Sequence, residues 1–207
     1  MKTRFLFTIL LMMAYVANIS AQATDINTIA NAIYIQQAKA KPGTQVKLSV
    51  CLKNQSISVR GYQFDLYLPD GITFVQDEDG YYEANMSTTR ATEKQMNYFD
   101  SDLQRDGSLR VLCSSTKGAV LSGDDGEVCT ILVEVDPDAA AQDYLLQVRN
   151  AVVTDPDAIR YQLEDVTSII NVNDCNCGPK GDMNNDGVVD ISDALYIIDM
   201  VLGRVPQ

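Results

Sequence analysis

The chain has 207 residues, 28 acidic against 16 basic and no histidine, for a formal net charge of −12. A field of that sign excludes nucleic acid as a partner and disfavours anionic membranes, and the missing histidine removes the commonest general base. The length suits one well-buried core rather than two.

Lys2 and Arg4 precede an apolar run over residues 5–16, and the small residues Ser20, Ala21 and Ala23 follow. This is the pattern of a secretory signal peptide over residues 1–23, cut after Ala21 or Ala23. No cysteine stands at the cleavage position and no later apolar run is long enough to span a bilayer, so the expected product is exported, soluble and extracellular or cell-surface. Loss of Lys2 and Arg4 leaves 14 basic against 28 acidic residues, a charge of −14.

From Ile33 onward short strand signals alternate with turn residues. Ile33, Tyr34 and Ile35, a turn at Pro42-Gly43, and Val46, Leu48, Val50 and Leu52 alternating with polar neighbours predict a hairpin with one buried face and Cys51 on the polar parity. Residues 62–68 alternate again up to a Pro69-Asp70-Gly71 corner, and residues 72–75 start a new strand, which points to antiparallel architecture. Residues 76–94 are irregular, acidic at Asp77-Glu78-Asp79 and aromatic at Tyr81-Tyr82, and read as a long surface excursion. Strand patterns resume over residues 96–99, turn at Arg105-Asp106-Gly107, and continue over 109–114. Gly123-Asp124-Asp125-Gly126 reads as a tight hairpin turn into residues 128–135, a run apolar on both parities at its start, as expected of a central strand covered on both faces. Residues 144–148, 150–154 and 169–172 complete the set, and strands at this spacing argue for a β-sandwich.

Cys51, Cys113 and Cys129 lie in strand-like runs, whereas Cys175 and Cys177 flank one residue of a polar linker over 173–181. Three buried thiols plus a linker pair, or one or two disulfides, are both compatible with that spacing. The acids cluster in turn sequences, Asp77-Glu78-Asp79, Asp124-Asp125 and Asp155-Pro156-Asp157, so no catalytic residue and no enzymatic activity is expected. Tyr81, Tyr82, Tyr98 and Tyr161 are the candidates for stacking on sugar rings in the absence of tryptophan.

The stretch 181–193 is the most specific. Carboxylate or amide oxygens fall at Asp182, Asn184, Asp186, Asp190 and Asp193, positions 1, 3, 5, 9 and 12 of a calcium loop, with Gly187 at the sharp turn and the Val188 carbonyl at position 7. A hard cation needs six to eight oxygens about 2.3–2.6 Å away, and a curled loop supplies them from alternate residues. Position 12 is Asp193 where glutamate is usual, and Pro179 and Gly181 stand where an entering helix would be. An exit helix follows, capped by Asp190 or Ser192, with Ile191, Ala194, Leu195, Ile198, Val201 and Leu202 on one face and Gly203 and Pro206 as its stop.

A calcium loop with an exit helix and no entering helix resembles one half of a dockerin, the calcium-dependent docking module of secreted polysaccharide-degrading assemblies. The resemblance implies a half-dockerin over residues 182–207 that binds Ca2+ through Asp182, Asn184, Asp186, Val188, Asp190 and Asp193. It places partner contacts at Ile191, Ser192, Leu195, Ile198, Asp199 and Leu202, where Ile191 and Ser192, then Ile198 and Asp199, stand in place of the hydroxyl pair and basic residues of the best-known type. The helix face could lean on its own sandwich, pair with a second molecule, or dock onto a cohesin elsewhere.

Residues 24–172, through Pro42-Gly43, the run Gly61-Tyr62-Gln63-Phe64-Asp65-Leu66-Tyr67-Leu68-Pro69, and Leu109-Arg110-Val111, resemble the cohesin and scaffoldin carbohydrate-binding group. That resemblance implies a mostly β fold, an antiparallel jelly-roll sandwich of about nine strands that recognises a docking module through one sheet face. Together the two resemblances imply a non-catalytic adaptor in an extracellular polysaccharide-processing system, with a protein partner of cohesin or dockerin type. The alternative they allow is a module that binds polysaccharide through the sandwich, with the calcium loop as anchor.

Overall fold

The computed structural model describes residues 22–173, 190–202 and Arg204. Most of the expected signal-peptide segment, the expected linker with Cys175 and Cys177, the expected loop residues Asp182, Asn184, Asp186, Gly187 and Val188, and the expected helix stop at Gly203 and Pro206 lie outside the described residues.

Two sheets pack face to face. One is built from β1 (Asn31–Ile35), β3 (Gln45–Asn54), β9 (Glu127–Val135) and β5 (Ile72–Phe74) in that order, with β6 (Ala84–Met86) also paired to β9. The other runs β2 (Ala38–Ala40), β12 (Val166–Val172), β10 (Gln142–Thr154), β4 (Gly61–Tyr67), β8 (Leu109–Ser114) and β7 (Tyr98–Leu103), with β11 (Arg160–Gln162) on β10. All pairings are antiparallel except β2 with β12. The period-2 patterns explain the core: β8 and β12 alternate strictly between buried and half-buried positions. Phe64, Ile33, Leu48, Leu52, Leu66, Leu109, Ile131, Leu146 and Ile170 all lie below 2% exposure between the sheets. Each is worth about 1.5–3 kcal/mol of removal from water.

Nine of the strands correspond to the expected runs once residues 144–154 are joined, and β2, β6 and β11 are additions of three residues each. The joined strand is β10, where the register to β4 shifts between Arg149 and Val152 and Asn150 takes φ 52°. An Asn tolerates that left-handed conformation better than a branched residue, so the interruption is a bulge within one strand. The predicted pairing of β1 with β3 is present, but the chain crosses to the other sheet as β2 before Pro42-Gly43 returns it. Gly123–Gly126 is not a hairpin turn, because β8 and β9 belong to different sheets; it is the end of a crossover docked on β3, with Asn54 N donating to Asp124 O (2.7 Å) and Leu52 N to Gly126 O (3.0 Å). Nor is β9 covered on both faces: beyond its buried start at Val128 and Cys129, its outward residues Thr130, Leu132 and Glu134 are half-exposed. Cys51 does sit on the outward parity of β3, yet it is buried, as are Cys113 and Cys129, and all three are free thiols.

The excursion over residues 76–94 is paired to β9 through β6 and anchored further by Arg90. Arg90, 5% exposed, donates from Nε to Ser122 O (2.7 Å), from Nη1 to Leu52 O (2.5 Å), and from Nη2 to Asn54 Oδ1 (2.6 Å) and Gly123 O (2.7 Å). Its own carbonyl accepts from Ser122 N and Oγ. Burial lowers its pKa, but a guanidinium stays charged, so its donors must be matched and they are. Arg90→Met should therefore leave four acceptors unpaired and cost about 2–4 kcal/mol in urea unfolding, whereas exposed Arg149→Ala should cost less than about 1 kcal/mol. A change in midpoint at constant slope for Arg90→Met, with little for Arg149→Ala, is the expected result.

Candidate functional site

The outer face of the seven-stranded sheet presents a set of aromatic and cationic side chains over an apolar floor. On β4 the outward positions are Gly61, Gln63, Asp65 and Tyr67, and their neighbours on β8 are Ser114, Leu112 and Arg110. Asp65 is 1% exposed although it points away from the core. Its two oxygens accept from Arg110 Nε and Nη2, both at 2.7 Å, and Oδ2 also accepts from Asn150 Nδ2 at 2.9 Å. The bidentate pair fixes the guanidinium plane, and the bond from Asp65 raises the Arg110 pKa further. Beside it the Arg149 guanidinium lies 5.0 Å from the centre of the Tyr67 ring. The Tyr67 hydroxyl in turn donates to Asp106 Oδ2 at 2.7 Å.

Asp106 is fixed from the other side by Ser108, whose Oγ and N donate to Oδ1 at 2.7 and 3.1 Å. The Ser108 hydroxyl, then Tyr67, bring the Asp106 pKa down to about 2. Further along the face, a groove of ≈ 260 Å³ runs over Gly61 and Val152, walled by Gln63, Leu112 and Ser114 and closed by Arg160. A side chain at Gly61 would meet Thr154 Oγ1 at 3.0 Å and the Cys113 carbonyl at 3.1 Å, so glycine keeps this floor low.

The five-stranded sheet's outer face is more polar. Gln45 pairs with Glu134 (3.3 Å), Ser49 with Glu127 (2.6 Å), and Tyr34 with Asp125 (3.0 Å). Cys51 lies among them, its thiol pushed up by burial, and burial likewise pushes Cys113 up to about 11, so neither is a thiolate at neutral pH. The turn acids have structural duties: Asp77 Oδ1 accepts from Asp79 N and Tyr81 N, and Asp155 Oδ1 from Ile159 N.

The four tyrosines do not gather into one platform. Tyr81 is 73% exposed at a loop tip, but Tyr82 packs edge-on against Phe74 with centroids 6.1 Å apart. Tyr98 sits on the edge strand β7, and the Tyr161 hydroxyl is held by Asp155 at 3.0 Å on β11.

Of the residues expected in the loop and helix, the structure describes Asp190 onward. Helix α1 (Ile191–Val201) begins as a reciprocal cap: Asp190 Oδ1 accepts from Ser192 N (2.7 Å) and Oγ (2.5 Å), and Asp193 Oδ2 accepts from Asp190 N (2.9 Å). The Ser192 bonds lower the Asp190 pKa. Asp193 is 4% exposed, and the two carboxylates stand within one turn of each other. Two hard oxygen donors placed so closely fit positions 9 and 12 of a calcium loop. The apolar side chains Ile191, Leu195, Ile198 and Leu202 are 75%, 54%, 52% and 55% exposed, with Asp199 beside them.

No protein-family model matches the chain, and no curated protein does. Solved structures do. The chain is similar to a type I cohesin–dockerin complex from Clostridium thermocellum at 17% identity and TM-score 0.56, covering 70% of this chain and 100% of that one. It is similar to the sixth cohesin of scaffoldin B from Acetivibrio cellulolyticus, in complex with a dockerin, at 14% identity and TM-score 0.57 over 70% and 100% of the two chains. A non-cellulosomal cohesin from Archaeoglobus fulgidus matches at 14% identity and TM-score 0.54 over 70% and 92%. The sandwich is cohesin-like. Among the described residues no helix is long and apolar enough to cross a membrane.

The sequence offered no signal for the Asp65–Arg110–Asn150 cluster, whose members lie 40 to 85 positions apart. The acid limb of stability tests the neighbouring Tyr67–Asp106–Ser108 chain. A carboxyl whose folded pKa is about 2 against an ordinary 3.8 stabilises the fold above pH 4 and loses that contribution as pH falls to 2. Asp106→Asn should flatten the loss of stability across that window and leave the slope above it unchanged, read as unfolding midpoints against pH.

Proposed function

We propose that the protein is a secreted, non-catalytic adaptor whose cohesin-like sandwich takes a docking module on the outer face of its seven-stranded sheet. One observation carries this reading: a cohesin-like fold leaves one sheet face uncovered, with Tyr67, Arg110 and Arg149 toward one end and the Gly61 groove, walled by Leu112, toward the other. Tyrosine and arginine on an apolar floor are the composition of binding hot spots. The similar solved structures include cohesins in complex with dockerins, which supports a protein partner of that type.

The loop and helix form the second half of the proposal. Asp182, Asn184, Asp186, Asp190 and Asp193, with the Val188 carbonyl, would hold Ca2+. The ion supplies positive charge that compensates oxygens otherwise crowded together. The chain's own part is the cap between Asp190 and Asp193, which fixes where the helix starts and so which side chains it shows. An extracellular polysaccharide-processing assembly is the setting that both halves suit.

Calorimetric titration should show one calcium site with Kd between about 10⁻⁷ and 10⁻³ M, abolished by Asp182→Ala. Recombinant dockerin modules should bind the wild type and lose at least about tenfold in affinity, about 1.4 kcal/mol, with Arg149→Glu. Retention by a polysaccharide that is lost on Tyr81→Ala would favour glycan binding instead; Tyr81 serves better than Tyr82, whose removal would also disturb Phe74.

A further inference from the structure

Two hollows meet at the Gly61 row of the larger sheet's outer face. The groove of ≈ 260 Å³ over Gly61 and Val152 shares Ser114 and Thr154 with a second hollow of ≈ 330 Å³, bounded by Arg60, Thr116, Asp155 and Ala158. Ser114 on β8 and Thr154 on β10 flank Gly61 in register. A Cβ at Gly61 would stand 3.0 Å from Thr154 Oγ1 and 3.1 Å from Ser114 Cβ and divide the two spaces, so glycine makes them one trough. From Gln63 to Arg60 it follows the strands for about 10 Å.

The polar groups of the trough sort into spent and free. Arg60 donates from Nε to Ser115 O (2.9 Å) and from Nη1 to Pro156 O (3.4 Å), and Asp155 accepts from Ile159 N and the Tyr161 hydroxyl. Thr116 is bonded to Asn97. The side chains of Gln63 and Ser114, half-buried in the walls, make no hydrogen bond among the described residues, and Thr154 Oγ1 makes only a long one to Gly61 O at 3.4 Å. What is free is thus an amide and two hydroxyls, all neutral and each able both to donate and to accept. Arg160, exposed at the end of the groove, makes no ion pair among the described residues, but Asp155 and Asp157 stand in the turn leading to its strand, so charge selects no ion here.

Neutral two-way hydrogen-bonding groups beside an apolar floor of Gly61, Leu112 and Val152 suit a ring with an apolar face and hydroxyls at its edge. A peptide suits the trough poorly, because its own amides need partners and the backbone groups of β8, β4 and β10 are already paired with one another. On β7 the Tyr98 side chain, 46% exposed, stands level with Ser114 on the same face and offers a stacking surface at the flank. Independently of the docking reading, whose residues Tyr67, Arg110 and Arg149 lie toward the other end of the face, we infer that this trough binds a neutral, unbranched oligosaccharide through Gln63, Ser114 and Thr154, with room for about two sugar rings.

Titration of the full mature chain with cellotetraose, xylotetraose and mannotetraose, with tetragalacturonate as the charged control, tests this by calorimetry and by amide chemical shifts. At least one neutral tetrasaccharide should bind with a Kd of about 1 mM or tighter, shifting the amides of Gly61, Gln63, Ser114 and Thr154 and leaving those of Tyr67 and Arg149 in place. Gln63→Leu and Ser114→Tyr fall at outward strand positions that accept both residues. Each should weaken binding at least about tenfold with an unchanged unfolding midpoint, while Arg149→Glu leaves the sugar affinity unchanged. Where either variant fails to fold, the shift map of the wild type decides alone. Failure of every neutral tetrasaccharide to bind, shifts confined to other residues, binding of tetragalacturonate alone, or loss of binding with Tyr81→Ala instead would each overturn the inference. Sugar binding without dockerin binding would overturn only the docking reading, and dockerin binding without sugar binding only this one.

Discussion

The carboxylate of Asp65 is the constraint on which the outer face of the larger sheet rests. It points outward from a central strand and is nevertheless buried, so it must be paired. Arg110 and Asn150 do this from the two strands flanking β4. The Asn150 bond holds the residue whose left-handed backbone makes the β10 bulge, and β11 pairs with β10 on the far side of that bulge. One carboxylate thus fixes a guanidinium plane and holds the residue at a strand irregularity. The cluster contributes more through geometry than through net stability, since the desolvation of a buried pair offsets much of its attraction.

Much of the sandwich was legible because a half-buried strand must alternate, and residues 46–52, 62–68 and 109–113 do so plainly. Period-2 patterning states which side chains are buried but not in which sheet they are buried. Gly123–Gly126 therefore reads as a hairpin turn while serving a crossover, and the three-residue strand β2 carries too few positions to show a pattern. The break at Asn150 was visible as a polar residue between two apolar runs; only the register to β4 distinguishes a bulge from a turn.

Arg90 and Asp65 were illegible for a common reason. Arginine and aspartate are seldom buried, and their neighbours in sequence say nothing of the partners that permit it. Arg90 follows Ser87-Thr88-Thr89 in what reads as a polar tip, yet its partners come from β3 and from the crossover before β9. The excursion it anchors is accordingly part of the sandwich, with β6 added to the β9 edge. Side chains on that excursion, Tyr82 among them, are then committed to packing, which separates them from exposed Tyr81.

The helix cap couples the two halves of the proposed function. Asp190 caps the Ser192 backbone and Asp193 that of Asp190 before any question of a cation arises, so the first turn of α1 has a defined start. An ionised carboxylate offers about four acceptor sites, so a capping bond and cation ligation are not exclusive uses of one side chain. In the proposed reading the ion strengthens a start that the cap already specifies. That start fixes the phase of the helix, and the phase decides that Ile191, Leu195, Ile198 and Leu202 share a side with Asp199 at its edge. A shift of the cap by one residue would turn that stripe by about 100° and set Asp199 differently against any cationic face it meets. Specificity at such a contact lies less in the apolar residues, which suit many partners, than in the carboxylates that place them.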